Sequence, residues 1–224
     1  MIIIIKIRHI SKYYKMGENI INALSGISLD IAAGEFVSVT GASGSGKTTL
    51  MNILGCLDAP SEGQYILDGE DVSHMSRRRL SSIRNLKIGF IFQGYNLIPT
   101  LTARENVLLP LIYRKTPLHI REELADNALE LVGLSKRANH CPAELSGGQQ
   151  QRVAVARAIA AKPPLILADE PCGSLDSKAG AEIMRTLREL NGAGRTVILI
   201  THDRNAAETA DKIIEISDGQ VTDN

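Results

Sequence analysis

Residues 41–48, Gly-Ala-Ser-Gly-Ser-Gly-Lys-Thr, constrain this chain more than any other stretch. Gly41 and Gly46 stand five positions apart and are followed by a lysine and a hydroxyl residue, which is the phosphate-binding P-loop pattern. The glycines let the backbone turn tightly enough for successive N–H groups to point into one concavity and surround phosphate oxygens. Lys47 adds a point charge aimed at β and γ phosphates, and the Thr48 hydroxyl can take one position around Mg²⁺. A flexible Gly/Ser loop is the alternative, but the flanks speak against it. Phe36–Thr40 is apolar and β-branched enough for a buried parallel strand, and Thr49–Leu54 reads as a helix. Strand, glycine loop and helix together place phosphate on a helix N-terminus.

A chain of 224 residues suits one domain, or one domain with an inserted subdomain. The 25 basic and 25 acidic residues cancel, so no global field recruits nucleic acid or anionic lipid. Cys56, Cys141 and Cys172 are odd in number and not spaced like a zinc site, which predicts reduced thiols filling space in a cytosolic protein. The apolar start Met1–Ile5 is ended by Lys6 and Arg8, far short of the roughly 20 residues that span a bilayer, and reads as a first strand. No other segment is predicted to cross a membrane.

Residues 2–10 and 26–31 alternate, predicting an antiparallel pair ahead of the P-loop. Of the two tyrosines between them, one can stack on an adenine ring or simply pack at a strand end. Gln64–Leu67 reads as a short strand followed by an Asp68-Gly69 hairpin turn. Arg77, Arg78, Arg79, Arg84 and Lys87 form a basic helical region, most simply a solvated face. Ile88–Phe92 is a second buried strand ending at Gln93. From Gly94 to about Lys162 the pattern turns helical: Thr102–Leu109 and Ile120–Val132 are predicted helices, Gly133 caps the second, and Pro99, Pro110, Pro117 and Pro142 punctuate the run. Seventy residues without a strand inside an α/β chain predict an inserted helical subdomain.

Leu145-Ser146-Gly147-Gly148-Gln149 then leads into a helix. Ser146 can cap it, and two glycines leave its first-turn N–H groups bare for an anion, although Ser-Gly-Gly is equally a common loop. Leu165–Ala168 is a buried strand ending in Asp169 and Glu170. Adjacent acids there repel unless a cation or proton is shared, and the pleat gives them different directions. Asp169 can hold Mg²⁺ through water and Glu170 can take a proton from an attacking water; alternatively both cap the next loop. A helix begins near Ser174–Ser177 and runs to about Leu190. Thr196–Thr201 is a last central strand, ending at His202, and residues 213–217 close the chain as a strand before an Asp218-Gly219 turn. Gln93, Asp169/Glu170 and His202 all fall at strand ends on the edge carrying the P-loop.

With these motifs in this order, the sequence resembles the ATP-binding subunit of ABC transporters along essentially its whole length, and Leu145–Gln149 matches that family's signature. Met51–Asp58, Leu145–Arg152 and Ile166–Pro171 look closest to the branch of macrolide exporters (MacB), lipoprotein-releasing ATPases (LolD) and the cell-division ATPase FtsE. The resemblance implies an α/β P-loop NTPase core of RecA type with an N-terminal antiparallel β subdomain, about residues 1–93 and 163–224, and an inserted helical subdomain, about 94–162. It implies that Gly41, Ala42, Ser43, Gly44, Ser45, Gly46, Lys47, Thr48 and Thr49 hold ATP and that Tyr14 stacks on the adenine. Thr48 and Gln93 would ligand Mg²⁺, Asp169 would bind it through water, Glu170 would be the catalytic base and His202 would contact the γ-phosphate. Ser146, Gly147 and Gly148, with Gln149 beside them, would meet nucleotide held by a second copy, and Asp176 would lie in the loop exchanged between copies. Cys172 stands where the family commonly has Thr.

A P-loop and a signature helix on one small subunit can hardly share one ATP across a whole subdomain, so a head-to-tail homodimer with two equivalent sites is expected. Integral membrane permease subunits are the expected partner, docked near Gln93–Glu105 with Leu97 and Leu101 in the contact, at the cytoplasmic face of the inner membrane; nucleic acid is not. A non-transport ABC ATPase on DNA or ribosomes is the first rival, disfavoured by the lack of coiled-coil insertions and basic surface. An ATP-gated signalling or cell-division ATPase that moves no cargo is the second, and sequence barely separates it from transport.

Overall fold

The computed structural model describes residues 2–17 and 19–222; Met1, at the start of the expected first strand, lies outside them. Two sheets form. The central one has the order β10(Gln220–Thr222)-β9(Lys212–Ser217)-β3(Phe36–Thr40)-β8(Thr196–Ile200)-β7(Leu165–Asp169)-β6(Ile88–Phe92). Its strands run parallel except for β10, which returns antiparallel along β9. The second sheet, β2(Asn19–Ala32)-β1(Ile3–Met16)-β4(Glu62–Leu67)-β5(Glu70–Asp71), is antiparallel.

The parallel strands are apolar because helices or sheet cover both faces. Their period of two deals alternate residues to two cores. Val37, Val39, Leu165, Leu167, Ile198 and Ile200 face a core shared with the antiparallel sheet, α1(Lys47–Leu54) and α2(Arg77–Lys87). Phe36, Ile91, Ile166, Ala168, Val197 and Leu199 face the other, built with α3(Ala103–Tyr113), α4(Leu118–Leu131), α5(Gly147–Ile159) and α6(Ser177–Gly192). Between β6 and β7 the described chain contains helices and no strand, as the loss of strand pattern predicts. The short helix α7(Arg204–Ala207) follows β8.

Three local expectations change. Tyr13 and Tyr14 lie inside β1 rather than between strands, with Tyr14 paired to Ile21. The end of this hairpin projects beyond the core, leaving Ile20 71 % exposed, so no buried face imposed an alternating pattern there. Pro110 does not end α3, which continues to Tyr113; the Pro110 carbonyl still accepts from Arg114 at 3.1 Å. The short strands β5 and β10 were not expected, each being too brief to show a period. The Asp68-Gly69 turn is as expected, with both residues at positive φ, 48° and 78°.

The last helix of the inserted segment lies directly on the sheet. A Cβ at Gly89 in β6 would come 2.4 Å from the Ala158 carbonyl oxygen of α5, so only glycine permits this approach. Gly89→Ala is expected to lower stability by about 1–3 kcal/mol in urea unfolding, and an unchanged midpoint would contradict this packing.

Candidate nucleotide site

The parallel strands all end on one edge, and the P-loop leaves β3 there. Gly41 sits at φ 147°, where a Cβ would come 2.2 Å from the Ile216 carbonyl of β9. Gly46, at φ 109°, would clash with the Ala23 carbonyl of β2 at 2.7 Å. The loop is therefore clamped between two strands at its ends. Gly44, at φ 79°, has nothing within 4 Å of an added Cβ and faces open space. Gly46 is the N-cap of α1, which has no side-chain cap and no acidic residue in its first turn. Its first N–H groups are left for an anion. Lys47 folds back, its Nζ donating to the Gly41 and Ala42 carbonyls at 2.7 and 2.8 Å, which fastens the loop. Ser45 Oγ is buried without a partner, whereas Ala42, Ser43 and Thr48 are exposed. A glycine cradle, an uncapped helix start and a spare hydroxyl fit a nucleotide triphosphate.

Tyr14 projects from β1 beside this loop. Its hydroxyl donates to Asp58 at 3.0 Å, Lys12 bonds the same carboxylate at 2.8 Å, and the Lys12 ammonium lies 5.0 Å from the ring centroid. Burial, then Asp58, push the Tyr14 hydroxyl pKa up, while hydrogen bonding with Thr49 of α1 opposes them. Packing thus fixes the ring next to α1. Tyr13 is exposed and bonds Glu62 at 3.2 Å.

The other predicted side chains gather at the neighbouring strand ends. Asp169 closes β7 half-buried; burial, then Glu170, raise its pKa above the ordinary 3.8, with Lys47 pulling the other way. Glu170 sits at φ 46°, and its N–H donates to the Ile200 carbonyl at 2.9 Å. Thr201 Oγ1 donates to Glu170 Oε2 at 3.2 Å, and the His202 backbone N–H donates to Oε1 at 2.9 Å. His202 Nδ1 lies 2.6 Å from the same oxygen, although the ring is 74 % exposed on its outer side. The sequence predicts separate jobs for Glu170 and His202; the structure brings them into one hydrogen-bonded pair. Gln93, exposed at the end of β6, lies against Gly173, where a Cβ would meet its Nε2 at 2.8 Å. Among the described residues no three His, Cys, Asp or Glu side chains converge to hold a metal by themselves, so a metal bound here would need further oxygen ligands.

The second anion-ready element is the start of α5. Ser146 Oγ accepts from Gln149 N–H at 3.3 Å and Gln149 Oε1 accepts from Ser146 N–H at 3.0 Å, a reciprocal cap. Ser146 and Gly147 are exposed; Gly148 packs toward Ala179. Asp176 caps α6, accepting from Ala179 N–H at 2.9 Å. Among the described residues no hydrogen bond joins 41–49 to 146–149, so the two elements open separately.

Sequence reasoning missed several supports. Lys12 and Asp58 fix Tyr14. Arg157 Nη2 donates to the Tyr95 carbonyl at 2.8 Å and Nη1 to Asn96, holding two consecutive residues at φ 57° and 51° after Gln93. The Tyr95 hydroxyl meets Ser174 Oγ at 3.2 Å and lies over Gly147. An Arg among the alanines of α5 and a Gly-Tyr-Asn turn were the available signals.

A parallel sheet whose P-loop, acidic strand end, glutamine and histidine share one edge defines a P-loop nucleotide-binding protein. The profile of the family described as ABC transporter matches residues 24–173, and the chain belongs to that family. It is 53 % identical over 218 residues to the macrolide export ATP-binding/permease protein MacB of Brucella melitensis, covering 97 % of this chain and 34 % of that protein. The chain thus spans about a third of the length of the first curated relatives it matches. It is 51 % identical to the uncharacterized ABC transporter ATP-binding protein MJ0796 of Methanocaldococcus jannaschii, covering 97 % and 94 % of the two chains. The dimeric post-hydrolysis structure of the MJ0796 cassette bound to ADP and Pi superposes with TM-score 0.91 at 49 % identity, covering 98 % of this chain and 97 % of that one. The fold is that of an ABC ATPase cassette, as the sequence motifs predict, and the chain is ATP-binding.

Asp169 offers a test of the site's electrostatics. A folded pKa above the ordinary 3.8 means that the folded state favours the protonated acid, so the charged form costs stability at pH 7. Asp169→Asn is expected to raise the melting temperature of the nucleotide-free protein at pH 7, the gain fading as pH falls through the raised pKa. A lower melting temperature at pH 7 would contradict this.

Proposed function

We propose that this chain binds and hydrolyses Mg-ATP between two copies of itself and so drives a membrane permease, of export or lipoprotein-release type. The observation that carries the reading is the uncapped N-terminus of α1 together with the start of α5, where the Ser146–Gln149 cap leaves the Gly147 and Gly148 amides uncovered, the two opening separately on one chain. One triphosphate met by α1 of one copy and α5 of another satisfies both. In this reading Gly41–Thr49 cradle the phosphates, Tyr14 stacks on the base, and Ser146, Gly147, Gly148 and Gln149 complete the site from the partner copy. Asp176 stands in the loop that passes between copies. When bound, Mg²⁺, on Thr48 and Gln93 and through water on Asp169, supplies positive charge against the phosphate oxygens. Glu170 takes the proton of the attacking water as its oxygen bonds the γ-phosphorus and the bond to ADP breaks. His202, tied to Glu170 at 2.6 Å, orients that carboxylate and reaches the γ-phosphate with its exposed side. Loss of the γ-phosphate removes the charge that held the halves together.

The helical arm, about 94–162, belongs to this reading as one wall of the surface that receives the permease, the core supplying the other, with α5 shared between arm and core. Docking is better supported on a groove of about 770 Å³ than at Leu97 and Leu101, and Asn96 alone of residues 93–105 lines it. Leu97 packs against the helical core, so a charge grafted there would damage the fold rather than test an interface. The groove exposes Leu57, Leu86 and Tyr113 among Arg78, Arg84 and Arg114, suiting an amphipathic permease segment with an acidic residue. No described helix is long and apolar enough to cross a membrane; in this reading the cassette sits at the cytoplasmic face of a membrane that its permease spans.

Glu170→Gln is expected to slow hydrolysis by about 10²–10⁴ while Mg-ATP affinity by calorimetry stays within a few fold, since the proton acceptor is lost and the phosphate donors remain. Hydrolysis at the parent rate would reject Glu170 as the base. Tyr113→Glu in the complete transporter is expected to abolish vesicle transport with ATP turnover retained, and undiminished transport would reject the groove.

A further inference from the structure

Helix α5 turns Val153, Ala154, Val155 and Ala156 into the core, and one polar side chain, Gln151, goes in with them at 0 % exposure. Its Nε2 donates to the Pro171 carbonyl at 2.7 Å. A carbonyl only accepts, which fixes the amide's orientation and leaves Gln151 Oε1 buried with no partner. A hydrophobic side chain of equal volume would avoid that orphaned acceptor, so the bond to Pro171 is what the glutamine adds.

Pro171 follows Glu170, and a residue before proline ordinarily stays extended. Glu170 is instead at φ 46°, a conformation that persists only where its surroundings impose it. Apart from the turn bond from Gly173, its restraints are the Ile200 carbonyl, the Thr201 and His202 contacts to its carboxylate, and the hold of Gln151 on the next carbonyl. All but the last come from the end of β8. The last comes from the helix whose first turn carries Ser146–Gly148, and Gln151 lies one turn on from Gly148.

We propose that Gln151 is a positioning residue that transmits engagement of the α5 N-terminus, by nucleotide held on the partner copy, to the backbone of Glu170 in its own site. Each copy's base is then set in place only when the opposite site is filled. This rests on the two-copy reading above. Gln151 touches no nucleotide; it acts through Pro171.

The test uses the full chain. The parent must hydrolyse ATP and its Glu170→Gln variant must pair with ATP; failure of either defeats the two-copy reading itself and is seen before any change at Gln151. Gln151→Met keeps the volume and removes both the donor and the orphaned acceptor. Turnover is expected to fall about tenfold to a hundredfold, with KM within about threefold, because a misplaced base slows chemistry without weakening binding. The ATP concentration for half-maximal pairing, read in the Glu170→Gln background, should shift less than about threefold. Gln151→Glu offers a donor only when protonated, so its activity relative to the parent should be lowest at pH 8 and recover toward pH 5.5. Parent-like turnover in Gln151→Met, or a flat pH ratio in Gln151→Glu, would overturn the proposal. So would loss of pairing together with turnover, or loss of the fold in both variants, since Gln151 would then be only a structural residue of α5.

Discussion

Backbone N–H groups at the start of a helix have no partner inside that helix, and this chain leaves such groups open at the starts of α1 and α5, wholly uncapped at the first and partly capped at the second. At α1 the cap is Gly46, which offers no side chain, and the first turn carries no acid to neutralise the positive end. At α5 the Ser146 and Gln149 side chains satisfy two amides between them while the glycines behind keep the approach clear. The rest of the fold fixes where these ends point. Parallel strands deliver the P-loop, Gln93, Asp169, Glu170 and His202 to one edge, and the clamp of Gly41 and Gly46 between β9 and β2 holds the shape of the first cradle.

The same edge concentrates negative charge that the protein only partly balances. Burial and the neighbouring Glu170 raise the Asp169 pKa, and Lys47 is the cation that opposes them. Glu170 is stabilised differently, by donors from Thr201 and His202. One acid is thus left wanting a cation while the other is oriented as an acceptor, a division that matches metal binding at the first and proton acceptance at the second. The strained backbone at Glu170 belongs to the same arrangement, because an energetically poor conformation can be set or released by small movements of what holds it.

Much of this was legible in the sequence because the motifs are local. A P-loop needs its glycines in fixed order, a buried parallel strand reads as an apolar run, and a hydroxyl residue before a glycine-rich helix start announces a cap. The run of helices between β6 and β7 was readable from the loss of strand pattern after Phe92. What escaped depends on contacts between distant segments. Nothing near Tyr14 in sequence names Asp58 as its partner, and Gln151 looks like one glutamine in a row of three until its burial against Pro171 is seen. A docking surface was expected near Leu97 and Leu101, and spacing does not say which leucines the core absorbs: Leu97 packs against it, while Leu57 and Leu86 stay exposed. The long β1–β2 hairpin was hidden because its projecting end has no buried face to impose alternation.

The central claim is that one nucleotide is gripped by the α1 start of one copy and the α5 start of another. Ser146→Asp isolates the second grip, since aspartate caps a helix as well as serine but turns a negative charge toward the incoming phosphate. Sedimentation with saturating Mg-ATP, hydrolysis being blocked by Glu170→Gln, measures the result directly. The account predicts twice the mass of one chain with Ser146 intact, and the mass of a single chain carrying bound nucleotide with Ser146→Asp. Pairing that survives Ser146→Asp, or its absence when Ser146 is intact, would contradict it.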